Sequence, residues 1–416
     1  MASFSFGAGN AAKIARIPLY ALGRLGTLVI PRGSTWAFGC GAGVGDGPLA
    51  VQRIAAADGR RTVWLAATAD EARAARVAGL RVVPRLSWRG YWETARAGVL
   101  VVGFGTGDVN PYAVSGGLLV QLWHGIPLKR IGLDSAETLR TGALPDVPLV
   151  RGAIRLLYRA AQRRIALLPA ASHLVRGRLE SAFGLPDDRI VVTGEPRVDV
   201  LSAGDPGERR RGARALLARV AGGFRSTTRL VLYAPTWRDG APDPAVPSTG
   251  EWRAIVDMLD RRDALLLVRS HRLGAGSYTP PFPTDRVRDL GADRLRDITA
   301  ALPGVDVLVT DYSSLVYDAG LVPLPVIALA PDLEEYRARR GFYGRYEDAA
   351  GDDAARTWAD ALARLDAVLG DPALLAEGAA RSARLSARVH AFRDGGNARR
   401  VYAAIQARAA RRRGRP

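Results

Sequence analysis

Four short clusters carry residue types suited to moving a proton and binding phosphate. "LLVQLWHG" ends an apolar run on His124 and Gly125, and "LVLYAPTWRD" ends another on Thr236, Arg238 and Asp239. "ALLLVRSHR" closes on Arg269, His271 and Arg272, while "VDVLVTDYSS" brings Asp311, Ser313 and Ser314, with Asp318 a turn beyond. Histidine is the usual side chain for taking a proton near neutral pH. Arginines, serine hydroxyls and backbone N–H groups at a helix start are the usual donors to phosphate oxygens. Each cluster alone also has a plain reading: a satisfied core histidine, a solvated basic loop, or a Ser/Asp helix cap. Their joint placement after four apolar runs points instead to two titratable imidazoles, His124 and His271, from opposite halves of the chain. Ser313 and Ser314 would cradle a phosphate, and Asp318 would accept hydrogen bonds from a ribose.

The elements that must position these clusters are strands of four to eight β-favouring residues separated by helix-length segments. The series runs "TVWLAA", "RVVPRL", "AGVLVVGFG", "GGLLVQLWHG", "IALLPAAS" and "RIVVTGEPR", then restarts with "LVLYAPTW", "ALLLVRSH", "VDVLVTDYSS" and "LPVIALAP". Such alternation predicts βαβ units and parallel sheets, whose ligands bind beyond the carboxyl ends of the strands. The chain of 416 residues is long for one core. We divide it into an N-terminal segment 1–34, a first α/β domain 35–222, a second 223–385, and a C-terminal helix and Arg-rich tail 386–416.

Composition narrows the class. The single cysteine, Cys40, excludes a disulfide framework and any Cys-rich zinc site. No window reaches the ~18 apolar residues of a spanning helix, and no signal peptide is evident, which places the chain in the cytoplasm. The net charge of +18, carried almost wholly by arginine, favours an anionic partner: nucleic acid, membrane surface or a phosphate-rich substrate. No nucleic-acid recognition motif accompanies it, so nucleic acid is not the expected partner. His173 and His390 lack acid or metal-ligand neighbours and read as structural. "FGCGAGVGDG" has no P-loop lysine and reads as a flexible loop facing substrate.

Taken in order, "WHGIPLKRIGLD", "VTGEPRVD", "LYAPTWRD", "RSH", "DVLVTDYSSLVYD" and "DLEEYRARRGFYGRYED" resemble the CDP-glycerol glycerophosphotransferase family, over about residues 36 to 400. The resemblance implies an α/β fold of GT-B type: two facing Rossmann-like domains with parallel sheets and an interdomain cleft, the first domain for the acceptor, the second for the CDP donor. It implies transfer of a polyol phosphate, glycerol phosphate first and ribitol phosphate in some branches, from a CDP-polyol to a hydroxyl of a lipid-linked acceptor, with release of CMP. In that frame His124 matches the catalytic base and His271 the histidine engaging the donor diphosphate. Ser313 and Ser314 match phosphate-lining positions, and Gly125, Arg238, Arg269, Asp311 and Asp318 fall in the substrate-binding motifs. No protein ligand set for a metal is evident, and a divalent ion carried on the diphosphate stays open. The length leaves primase and polymerase both open.

Acceptors of that family lie at the membrane. "VRGAIRLLYRAAQRR" places Arg151, Arg155 and Arg159 on one helical face, and "KIARIPLYALGRLGTLVIPRG" is a second candidate, for peripheral attachment to an anionic inner leaflet. Either segment is equally read as a surface helix docked on its domain. A GT-B glycosyltransferase or nucleotide-sugar enzyme with another donor is the rival reading.

Overall fold

The computed structural model describes residues 17–139, 147–236, 238, 243–269 and 278–413. The expected site residue His271, with Ser270, Arg272, Trp237 and Asp239, lies outside them. Two compact units emerge: residues 1–125, 130–199 and 396–416 form one, residues 126–129 and 200–395 the other.

In the first unit, strands β1 (Trp36–Gly39), β2 (Thr62–Ala66), β3 (Val82–Pro84), β4 (Val99–Val102), β5 (Leu118–Gln121), β6 (Ile165–Ala170) and β7 (Ile190–Val192) pair in the order 3-2-1-4-5-6-7. In the second, β8 (Arg229–Ala234), β9 (Ala264–Val268), β10 (Val287–Asp289), β11 (Val307–Thr310) and β12 (Val326–Ala328) pair in the order 10-9-8-11-12. Every neighbouring pair is parallel. Strands such as Val-Leu-Val-Val in β4 are buried along their whole length, as a parallel sheet covered on both faces requires.

The helices of the first unit are α1 (Ile17–Val29), α2 (Asp46–Ala57), α3 (Ala69–Val77), α4 (Trp88–Arg96), α5 (Pro148–Gln162) and α6 (His173–Phe183). Those of the second, apart from the single turns Asp199–Ser202 and Glu347–Ala350, are α7 (Pro206–Ala221), α8 (Thr249–Arg261), α9 (Leu315–Ala319), α10 (Leu333–Arg340), α11 (Trp358–Gly370) and α12 (Pro372–Val389). The last helix, α13 (Asn397–Arg413), returns to the first unit, where Val401, Tyr402 and Ile405 join the core around Trp36, Phe38 and Trp64. The core of the second unit gathers Tyr233, Trp252, Ile255, Leu266, Val309 and Trp358.

Helix α7 falls within residues 35–222 of the sequence division but packs in the second unit. Its Arg210 and Arg214 pair with the buried Asp306 ahead of β11, at 2.7 and 3.5 Å. The tail read as one helix from residue 386 is two helices, parted at Gly395, whose φ of 69° suits glycine. Both features depend on partners far away in sequence.

The strand orders reverse between β1 and β4 in one sheet and between β8 and β11 in the other. At such reversals neighbouring crossovers run to opposite faces and leave a crevice at the carboxyl ends. The polar clusters therefore stand at or beside the places where an open parallel sheet accepts ligands.

Candidate active site

His124 follows β5, one strand from the first reversal. Trp123 before it has φ 63° and Gly125 after it φ 140°, so a left-handed turn ejects the imidazole from the strand line. A bulky residue with positive φ stores strain of about 1–3 kcal/mol, which survives only where the surroundings enforce it. The half-buried imidazole touches two aromatic rings: Phe104 at 4.3 Å between centroids and 17° between planes, and Trp123 at 4.1 Å and 41°. Phe183 meets Trp123 edge-on at 5.1 Å. Phe104 belongs to the turn after β4, whose backbone is gathered by the buried carboxylate of Asp108. Burial pushes the Asp108 carboxyl up to about 6, against the N–H groups of Phe104, Gly105 and Gly103 that pull it down.

In the second unit the loops after β8 and β11 are bound together by Arg238. Its guanidinium grips Asp332 through two bonds, at 2.8 and 2.9 Å, donates to Asp311 at 2.8 Å and to the carbonyl of Thr236, and lies 4.8 Å from the Tyr312 ring centroid. Asp311 also accepts from the Thr236 N–H, at 2.8 Å, and from the Tyr312 N–H. Burial alone would raise the Asp332 carboxyl, but the bonds from Arg238 and Tyr312 hold it below its ordinary value. Arg238 is only 6% exposed, and four of its hydrogen bonds go to protein. It therefore acts here as a tie between loops rather than an open phosphate donor.

Arg269 has a similar fate. Its N–H groups bind the carbonyls of Leu290, Leu295 and Arg296, at 3.2, 2.7 and 2.9 Å, and close the loop after β10. Asp318 is 1% exposed inside α9, so its carboxylate is shielded from solvent in this structure. Ser313 and Ser314 remain half-buried at the start of α9. That helix has five residues, too few for a strong dipole, so any phosphate there depends on hydroxyls and local N–H groups. The hydroxyl of Thr236, whose N–H is bonded to Asp311, has no hydrogen-bond partner among the described residues, an orphan donor at the second reversal. No three His, Cys, Asp or Glu side chains gather as a metal site among the described residues.

Sequence reasoning gave no role to Phe104 or Asp108, and it used Asp332, Tyr312, Tyr336, Phe342 and Tyr346 only as parts of longer motifs. Tyr312 and Tyr336 stack at 3.9 Å, and Phe342 and Tyr346 close around them. The aromatic spacing in "EEYRARRGFYGRY" was the available signal. Lys129 lies 5.9 Å from the Tyr336 ring centroid and bridges to Phe342 through its backbone. Burial, and then Arg340, lower its ammonium to about 8. The folded state thus disfavours the charge, and this penalty lifts as pH rises through 8 toward the free-lysine value near ~10.4. After reductive ¹³C-methylation, Lys129 should titrate with a midpoint near 8; a midpoint at the free value would refute the burial argument.

Two parallel α/β units with polar loops at their strand-order reversals define a GT-B type fold. A solved structure of the wall teichoic acid polymerase TagF has the same fold, with a TM-score of 0.75, 19% identity and 97% of each chain covered. A UDP-N-acetylglucosamine 2-epimerase from Listeria monocytogenes is more distant, at 0.52 and 14%, over 91% of this chain and 96% of that one. The chain belongs to the CDP-Glycerol:Poly(glycerophosphate) glycerophosphotransferase family, which it matches over residues 41–407. A teichoic acid glycerol-phosphate transferase of Staphylococcus aureus is 30% identical over 236 residues, 55% of this chain and 56% of that one. A teichoic acid poly(glycerol phosphate) polymerase of Bacillus spizizenii is 27% identical over 239 residues, 56% of each. The matches span about half the length of these curated relatives.

Proposed function

We propose that this chain transfers glycerol phosphate from CDP-glycerol to a hydroxyl of a lipid-linked acceptor and releases CMP. The family match across residues 41–407 carries this reading. The acceptor oxygen attacks the phosphorus that bears the glycerol, the bond from that phosphorus to the oxygen bridging the two phosphates breaks, and that oxygen leaves with CMP. His124, ejected from β5 by the turn at Trp123, takes the hydroxyl proton. Ser313, Ser314, the Thr236 hydroxyl and His271 bind phosphate oxygens as negative charge spreads over them. Gly125 gives the turn beside the base its left-handed backbone, while Arg238, Asp311 and Arg269 hold the donor loops in shape.

The test is CMP release by the purified full chain from CDP-glycerol and, in parallel, CDP-ribitol, with a lipid extract of bacterial envelopes as acceptor. Acceptor-dependent release from either donor supports the reading, and the faster donor names the polyol. A folded protein that consumes neither would shift the donor to another activated nucleotide.

Peripheral attachment to the inner face of the membrane belongs to the same proposal. No described helix is long and apolar enough to cross a membrane. Helix α5 buries Ile154, Tyr158 and Gln162 but leaves Leu149, Leu156 and Leu157 at 84%, 67% and 63% exposure, beside exposed Arg151, Arg155 and Arg159 and with no acidic residue. An apolar outer face flanked by arginines suits a helix lying at an anionic interface. Helix α1 packs through Gly23 and Thr27, with Tyr91 of α4 donating to the Gly23 carbonyl, and leaves Leu22, Leu25 and Leu28 outward. Replacing Leu156 and Leu157 by glutamate should weaken sedimentation with phosphatidylglycerol vesicles about 100-fold, from lost burial of two leucines. Unchanged sedimentation would remove α5 from the membrane surface.

A further inference from the structure

We propose that Phe104 and Asp108 form a shelf that positions the His124 imidazole for proton transfer; the proposal rests on His124 being the base.

The shelf is built from three strands. Phe104 lies two residues beyond β4, buried, with its ring nearly parallel to the imidazole. Its peptide is held at both ends: the N–H donates to Asp108 Oδ2 at 2.6 Å, and the carbonyl accepts from Gln121 Nε2 at 3.4 Å. Gln121 ends β5, the strand that leads to His124, so the imidazole and its shelf share one anchor. Asp108 itself is 2% exposed at the end of a short 3-10 turn. Its backbone crosses β1 so closely that a Cβ on Gly39 would lie 2.0 Å from the Asp108 carbonyl oxygen. A Cβ on Gly41 would lie 3.2 Å from both the Phe104 ring and Asp108 Oδ1. Gly39 and Gly41 of "FGCGAG" thus leave the room that the shelf occupies.

The chemistry of the stack matches a base. Both ring nitrogens lie in the imidazole plane, so a phenyl ring stacked against one face fixes the tilt without itself occupying either nitrogen. The electron-rich face of Phe104 also favours the imidazolium formed once the proton has moved. Phe104 and Asp108 are positioning residues and touch no reacting atom.

The first readout needs no substrate. In the full-length protein, the Cε1–H signal of His124, assigned by its loss in His124→Ala, should move downfield in Phe104→Leu as the ring current of the phenyl disappears. The second readout is CMP release from CDP-glycerol with the envelope lipid extract. Phe104→Leu should lower kcat about 10- to 100-fold, as expected for a misplaced reacting group, with KM for CDP-glycerol unchanged, and Phe104→Tyr should restore it. An unmoved signal, or full kcat in Phe104→Leu beside an inactive His124→Ala, overturns the shelf. An active His124→Ala instead overturns the reading of His124 as base, whatever the signal does. Should the leucine variant fail to fold, Asp108→Asn carries the test: it keeps the shape, removes the charge that draws in the Phe104 N–H, and should lower kcat at constant KM.

Discussion

His124→Ala is expected to lower turnover of CDP-glycerol by about 10²- to 10⁴-fold, the usual contribution of a positioned general base. Each decade corresponds to about 1.4 kcal/mol of barrier, so the loss is about 3–5 kcal/mol of transition-state stabilisation. KM for CDP-glycerol should hold, because the histidine meets the acceptor hydroxyl and not the donor. The melting temperature should change little, since the imidazole is half-buried and rests on rings that have their own supports at Gln121, Asp108 and Phe183. Steady-state CMP release and a thermal melt decide it. A variant within a factor of ten of wild type would leave the reaction without this base.

The largest stability effect is expected at Arg238. Removing it leaves Asp311 and Asp332 as buried or half-buried carboxylates without their shared cation, and breaking a buried ion pair from one side costs about 3–5 kcal/mol. The loss should fall on the second unit, whose β8 and β11 loops Arg238 joins. Arg238→Lys should recover only part of it, since one ammonium cannot reproduce a two-bond grip on Asp332 while also reaching Asp311 and the Thr236 carbonyl. Chemical denaturation of the three proteins measures the difference. If both variants unfold like wild type while KM for CDP-glycerol rises, Arg238 is a direct phosphate ligand and the tie between loops is dispensable.

The two effects differ in kind because the two clusters differ in how their polar groups are used. At His124 a single side chain is supported by apolar rings, so its removal touches chemistry before stability. At Arg238 several charges satisfy one another, so removal of one exposes the rest. The sequence reading placed both on the ligand-facing rim, His124 as base and Arg238 as a substrate contact, because strand-end position is visible in a linear pattern, whereas the destination of each N–H is not. Arg269 shows the same limit: its place after β9 was legible, but its bonds to the carbonyls of Leu290, Leu295 and Arg296 arise from a loop more than twenty residues away.

Much of the architecture was legible in advance for a physical reason. Buried parallel strands must be apolar along their whole length, so "VLVV", "LLLV" and "VLVT" announced themselves, and the rule that ligands meet such sheets at strand ends then located His124, Thr236, Asp311, Ser313 and Ser314. These are local properties, written within a few residues. Pairing order, the reversals between β1 and β4 and between β8 and β11, the return of α13 to the first unit and the allegiance of α7 to the second are decided by which apolar faces and charges find each other across the chain. So is the seat of His124: Phe104 and Asp108 lie 20 and 16 residues before it, and only the parallel pairing of β4 with β5 brings that turn against the imidazole. Local composition chose the strands and the residue types at their ends; long-range packing chose the partners that each of those residues meets.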